Sequence, residues 1–217
     1  MTRFRQEAPA PQASDREGSQ GHDPAPGLPQ DPLRGARLPA LLGVYFLAHA
    51  VIRLFISDTL ALDEAEQVLV SQTFRWGYSG QPPLYAWLQH LAFLVLGTTL
   101  PALALVKNGL LFLAYLCFWL TARRLWPRNT HLRTLATLSW FLIPQIVWEA
   151  QRDLSHSVMV LTLASASLYV LARALTPGGT DRDQVRPGTV WYLGYGLVLG
   201  LGLLSKYNFL VFAGALN

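Results

Sequence analysis

Apolar runs close to the length of a membrane span recur along this chain, and they leave few folds open to it. They cover residues 38–56, 83–97, 102–125, 132–148, 154–175 and 190–205. About 20 apolar residues of helix cross a bilayer, and a lipid-exposed backbone must satisfy its own hydrogen bonds, which a helix does internally. The composition agrees: 52% of residues are hydrophobic and 14% charged, against roughly 25% charged in an ordinary soluble domain. The expected fold class is all-α, a polytopic helical membrane protein. The sequence contains no Walker loop, no GxGxxG and no metal-ligand spacing, and no nucleic-acid partner is expected. The single cysteine, Cys117, lies inside an apolar run and has no intrachain disulfide partner.

Charge sets the topology. Residues 1–37 are rich in Pro, Gly, Gln, Asp and Arg, the composition of a disordered arm. The arm is too long and too polar for the n-region of a signal peptide, so residues 38–56 read as an uncleaved anchor. Arg34 and Arg37 place the arm in the cytoplasm. If every run spanned, Arg123, Arg124, Arg128 and Arg133 would fall outside. Treating residues 83–97 as non-spanning removes the conflict. That run has about 15 residues, short of a span, and carries Gln89 and His90 near its middle. The Arg123–Arg133 cluster then falls inside, with Arg173, Arg182 and Arg186. About five spans remain, and residues 57–101 form an outer loop. The turn 149–153, Lys107 and Lys206 share that outer side.

Of the 17 basic residues only Lys107 and Lys206 are lysines. The arginine bias, with the Ala and Gly usage, points to GC-rich coding and a bacterial inner membrane. The chain ends at Ala213-Gly214-Ala215-Leu216-Asn217 while still apolar, so a longer protein with a further C-terminal part is expected.

Within the outer loop, residues 59–76 read as an interfacial amphipathic helix. Leu62, Ala65, Val68, Leu69 and Trp76 share one face, and Asp63, Glu64, Glu66, Gln67 and Ser71 the other. Asp58 or Thr59 would cap it, and Gly77 and Gly80 would end it. Pro82-Pro83 then opens a second surface helix, since proline is tolerated in a first turn.

Asp63 and Glu64 are the first candidates for chemistry, because a carboxylate at the membrane surface suits a general base. The plainer reading is a pair of acids favoured by the helix dipole. Asp153, in Gln151-Arg152-Asp153-Leu154-Ser155-His156, is a second candidate acid or an ordinary cap paired with Arg152. His156 reads as a packed or capping histidine. Lys206 interrupts an apolar stretch, so it either snorkels to the interface or binds a phosphate. Lys107 and Arg53 carry the same pair of readings. Tyr85, Trp87 and Trp76 read as belt aromatics, with sugar stacking as the functional alternative.

These elements resemble the GT-C superfamily of membrane glycosyltransferases, in particular the glycosyltransferase family 39, aminoarabinose-transferase-like and protein O-mannosyltransferase-like group. The resemblance rests on Asp63-Glu64-Ala65, Gln81-Pro82-Pro83-Leu84, Ala122-Arg123-Arg124-Leu125, Gln151-Arg152-Asp153 and Gly202-Leu203-Leu204-Ser205-Lys206-Tyr207, in that order over residues 40–215. It departs at Gln81, where relatives often carry Lys or His. The resemblance implies a sugar donor linked to a polyprenyl phosphate and an envelope lipid, glycan or protein as acceptor. It implies inverting transfer at the outer face. Asp63, Glu64 and Asp153 would be catalytic. Lys206, Lys107 and Arg53 would bind the donor phosphate, and Gln81, Pro82, Tyr85 and Arg152 the substrates. No cofactor is implied, with a divalent cation between Asp63 and Asp153 as the alternative.

Two other classes compete. A flippase for lipid-linked sugars needs polar residues at mid-depth, whereas the polar insertions here sit at the ends of the runs. A non-catalytic membrane scaffold is the other. The outer-loop assignment predicts that single cysteines at Ser79 and Thr98 are both labelled by an impermeant reagent from the outer side. Labelling from opposite faces would overturn the topology.

Overall fold

In the computed structural model, residues 32–57, 59–78, 80–152, 155–175 and 189–216 are described. Every regular element among them is helical. Helix α1 spans Pro32–Ile56, so it starts inside the stretch assigned to the polar arm. Pro32 suits a first turn, where its missing N–H costs nothing. The rest of that arm lies outside the described residues.

Helix α4 (Leu100–Leu125) is the centre of the bundle. It packs on α1 and on α7 (Ser155–Leu175), and α7 packs on α8 (Thr189–Ser205). Arg123 and Arg124 occupy the last turn of α4, where cations suit the helix dipole. Leu42, Phe46, Leu110, Leu111, Tyr115, Val158 and Met159 form the shared apolar core. Lipid removes the hydrophobic drive for helix pairing, leaving close packing and polar contacts. The α7 face is built for this: Thr162, Ser165 and Ser167 are buried, and the Thr162 hydroxyl donates to the Leu110 carbonyl of α4 at 2.9 Å.

Three helical segments are long and apolar enough to cross a membrane: Arg37–Ile56, Leu100–Leu125 and Ser155–Leu175. Helix α8 is shorter, at 17 residues, or roughly 25 Å at 1.5 Å per residue. The expected span at 132–148 is not one helix. Helix α5 stops at Leu138 (Thr130–Leu138), a 3₁₀ turn covers Ser139–Leu142, and a π turn covers Gln145–Glu149 before α6 (Ala150–Arg152). Pro144 explains the break. The residue before a proline is pushed out of helical geometry, and Ile143 is extended at φ −95°, ψ 107°.

The two helices expected within residues 57–101 differ from expectation more sharply. Helix α2 covers only Leu62–Val70, not 59–76, and Ser71 caps its end well before Gly77. Ala61, rather than Thr59, stands at its N-cap; Asp58 lies outside the described residues. Its orientation is also the reverse of an isolated interfacial helix. Leu62 and Leu69 are 81% and 74% exposed, while Glu64, Gln67 and Ser71 are buried. The polar face looks into the protein because charged and amide partners wait there. Helix α3 (Leu84–Leu96) begins after Pro82-Pro83, as expected. Gly97, at φ 72°, then reverses the chain into α4, a conformation that favours glycine.

The final corner depends on a close approach. Helix α9 (Phe209–Leu216) turns back so that the fully buried Phe209 ring lies on Gly202 of α8. A β-carbon on Gly202 would fall within that ring. Gly202→Ala is therefore expected to displace α9 and cost about 1–3 kcal/mol, the usual range for overpacking. Thermal unfolding of the purified protein in detergent checks it, and an unchanged midpoint would refute the tight corner.

Candidate active site

Glu64 sits in the first turn of α2, and its side chain turns back to accept from the Ala61 N–H at 3.2 Å. This is the return half of a capping box; Ala61 itself offers no acceptor. The same carboxylate meets Arg53, from the last turn of α1, at 2.8 Å and Lys107 of α4 at 3.1 Å. Arg53 also donates to the carbonyls of Ser57 and Thr59, which fixes the α1–α2 connection. Glu64 and Lys107 are only 3% and 2% exposed. Lys107 therefore does not snorkel. Burial pushes the Glu64 carboxyl up, but the Arg53 hydrogen bond, the Lys107 charge and the Ala61 N–H outweigh it and hold its pKa below the usual value.

With α2 pinned in this way, its next residues reach the start of α7. The Asp63 carboxylate accepts from the Ser155 N–H at 3.2 Å, across 92 positions of sequence. An anion at a helix N-terminus is stabilised by the orphan N–H groups and the dipole. One turn on from Asp63, the Gln67 amide meets His156 Nε2 at 2.7 Å. Ser71 donates to the Gln67 carbonyl oxygen at 3.4 Å, so the amide NH₂ is the group that faces the ring. Tyr85 of α3 is buried, hydrogen-bonds Ser155, and lies 5.3 Å from the His156 ring. Lys206, just past α8, donates to the Ser157 hydroxyl at 3.1 Å. The start of α7 is thus a hub where α2, α3 and the α8–α9 corner meet.

This geometry also locates α3. Tyr85 near its N-terminus reaches the α7 start, and Phe93 near its C-terminus packs with Val68 of α2 and with Ala102 and Leu103 of α4. Both ends of α3 meet the same end of the bundle. Trp87 donates to the Arg75 carbonyl at 2.7 Å and stacks with Phe74. Trp76 is exposed, as a belt residue would be, but Tyr85 is a core residue and the belt reading does not hold for it.

A small open cleft adjoins the hub. It is lined by Glu66, Val70, Tyr78, Gly80, Gln81, Pro82, Ala86 and His156. The structure therefore brings together Asp63, Tyr85 and Lys206 at the hub and places Gln81 and Pro82 beside it. Glu64, Arg53 and Lys107 form a separate buried ion cluster. Arg152 is exposed and does not line the cleft. Asp153 lies outside the described residues. Glu66, Gln67, His156 and Ser157 were not among the sequence candidates. The spacing held a signal for one of them, since Asp63 and Gln67 are four apart and share a helix face. Among the described residues no group of three His, Cys, Asp or Glu side chains could hold a metal ion.

The structure is thus a helical membrane bundle with a carboxylate, an imidazole and a lysine gathered at the start of one helix. The comparison with known families is more specific. Residues 80–216 match the family described as dolichyl-phosphate-mannose-protein mannosyltransferase. The chain belongs to this family of GT-C membrane glycosyltransferases. It is 44% identical over 176 residues to "Lipopolysaccharide core galacturonosyltransferase RgtB" of Rhizobium johnstonii, covering 81% of this chain and 34% of that protein. It is 40% identical over 169 residues to "Lipopolysaccharide core galacturonosyltransferase RgtA" of the same organism, covering 78% and 32%. The chain thus spans about a third of the length of the curated relatives it matches. No solved structure matches.

The Glu64 cluster gives a stability prediction. A carboxylate with a lowered folded pKa stabilises above its unfolded pKa, and the contribution is lost as pH falls through the folded value. Glu64→Ala leaves Arg53 and Lys107 without their partner and is expected to cost about 3–5 kcal/mol. Glu64→Gln should flatten the loss of stability on acidification below the usual carboxylate range. Thermal unfolding from pH 7 to pH 3 measures both. A wild-type midpoint for Glu64→Ala would show that the cluster does not hold α2.

Proposed function

We propose that this chain is the part of a bacterial inner-membrane glycosyltransferase that carries the base and a donor-phosphate ligand. The observation that carries the reading is the meeting of Asp63 and Lys206 at the start of α7, on Ser155 and Ser157 respectively. The donor would be a sugar on a polyprenyl phosphate and the acceptor an envelope glycan at the outer face. The names of the two Rhizobium relatives favour galacturonosyl transfer to lipopolysaccharide core.

In this mechanism an acceptor hydroxyl attacks the anomeric carbon as the bond from that carbon to the phosphate oxygen breaks. The hydroxyl proton passes to Asp63, and polyprenyl phosphate departs with inversion at the sugar. Charge grows on the leaving phosphate, and a fixed cation offsets it. Arg53 and Lys107, also candidates from the sequence, are engaged by Glu64. Lys206 has no carboxylate within ion-pair distance among the described residues, and Ser157 takes one of its three N–H donors. Lys206 is therefore the cation assigned to the phosphate. This chemistry requires no metal.

The test must separate catalysis from helix capping, since Asp63 also serves α7 as a cap. Asp63→Asn keeps an oxygen for the Ser155 N–H but removes the base. It should retain the wild-type melting temperature and lose ~10²–10⁴-fold in kcat. Lys206→Met should raise the donor KM by roughly tenfold or more, the loss of a charge-assisted contact worth about 1.5–3 kcal/mol. Membranes containing the protein, a polyprenyl-phosphate galacturonic acid donor and deacylated lipopolysaccharide core supply the assay. Activity of Asp63→Asn within a few-fold of wild type would leave Asp63 as a cap alone.

A further inference from the structure

The end of the bundle opposite the hub carries charge of one sign. Helices α4 and α7 start near the hub, and α1 and α8 finish there. The other end therefore gathers the starts of α1 and α8 and the last turns of α4 and α7. Helix α5 also starts there, after the short connection at residues 126–129. Arg37, Arg123, Arg124, Arg128, Arg133 and Arg173 lie at this end. None of the five helices that meet there contains an Asp or a Glu along its length. Basic helix ends alone only orient spans, but one of these arginines is placed differently from the rest.

Arg133 is 7% exposed, on the inward face of α5 with Thr137. Helix α5 packs on α4, whose last turn holds Arg123 and Arg124. Arg133 also closes the first turn of α5, at the positive end of the helix dipole, where a cation is disfavoured. Thr130 accepts from one of its five N–H donors at 2.8 Å, and no carboxylate pairs with it among the described residues. An arginine that served topology alone would keep its head group in water, as the exposed Arg128 does. A guanidinium withdrawn from water beside other cations is costly unless an anion compensates it. Its planar fork matches phosphate oxygens with paired hydrogen bonds.

The surroundings point to a phosphate that carries acyl chains. Leu125, Trp126, Leu132 and Leu135 are all exposed around the same corner. Apolar and aromatic side chains interleaved with arginines at helix ends mark the depth where headgroups meet hydrocarbon. Basic pockets between helices on the cytoplasmic side take anionic headgroups. A soluble phosphate would gain nothing from the leucines.

We propose that the corner between the last turn of α4 and the first turn of α5 binds an anionic phospholipid of the inner leaflet. The lipid phosphate accepts from the Arg133 guanidinium, Arg124 and Arg128 flank the headgroup, and the acyl chains lie along the exposed leucines. The site is at the opposite end of the bundle from Asp63 and Lys206, and it stands independently of the transfer reaction.

The purified full chain in dodecyl maltoside, titrated with dioctanoyl phosphatidylglycerol, dioctanoyl phosphatidylcholine or inorganic phosphate and followed by thermophoresis, tests this. Wild type is expected to bind phosphatidylglycerol roughly tenfold or more tightly than phosphatidylcholine, and Arg133→Gln should remove that advantage, as loss of a charge-assisted contact implies. Arg133→Lys keeps the charge without the fork and should fall between the two. Arg75→Gln, at an exposed arginine of the hub end, should match wild type. The double variant Arg124→Gln/Arg128→Gln alters less buried positions; it should also weaken phosphatidylglycerol binding and decides the matter if Arg133→Gln fails to accumulate. Equal wild-type affinity for the two lipids would overturn the site, as would wild-type phosphatidylglycerol affinity in Arg133→Gln. Inorganic phosphate binding as tightly as phosphatidylglycerol, with the same dependence on Arg133, would overturn the lipid assignment in favour of a soluble anion.

Discussion

The arrangement of this end of the molecule depends on one buried carboxylate. Glu64 is taken out of solvent between Arg53 and Lys107, which come from α1 and α4. Desolvating an ion costs several kcal/mol, and only well-placed opposite charges and hydrogen bonds recover it. Glu64 has two cations and a backbone N–H, so the cost is met by geometry that exists only when α2 docks against the ends of α1 and α4. An apolar residue at this position would pack in many registers. A carboxylate that must find two cations packs in one, and that register carries Asp63 to the N-terminus of α7 and Gln67 to His156.

The same constraint explains why α2 is turned over. An isolated amphipathic helix buries its apolar face, because that removes the most hydrocarbon surface from water. Here Leu62 and Leu69 face outward and Glu64, Gln67 and Ser71 face the protein. In a membrane protein this orientation costs little where the outward side meets lipid, since leucine is as well solvated there as in a core. Burying the polar face against matching groups then wins. The consequence for chemistry is a sorting of charges. Two of the three candidate cations are consumed in holding α2, and Lys206 is left beside the hub.

Much of this was legible in the sequence, and the reasons are local. Apolar runs near membrane length define an all-helical membrane chain whatever the helices pack on, since backbone groups in lipid must bond within their own segment. The order of Asp63-Glu64, Gln81-Pro82, Gln151-Arg152-Asp153 and Lys206 sufficed to place the chain in the GT-C superfamily, to which its family belongs. Pro144 was equally visible as a breaker, but the apolar count across 132–148 concealed its effect. Helix α2 was foreseen in kind and wrong in length and facing, because periodicity reports which residues share a face and not which face turns inward.

Tertiary structure alone decided the roles of individual polar groups. Nothing local distinguishes Lys107 from Lys206, both single cations in apolar surroundings; only the docking of α2 makes the first a partner of Glu64. Tyr85 looked like a belt aromatic until α3 brought it against Ser155 and His156. His156 read as a packed histidine, and half of it is: Gln67 holds one nitrogen while the other stays buried without a partner. The sequence determined what kind of chain this is, because membrane length and helical hydrogen bonding act within a segment. The site depended on partners 43, 89 and 92 positions apart, and pairings at that range exist only once the helices have packed.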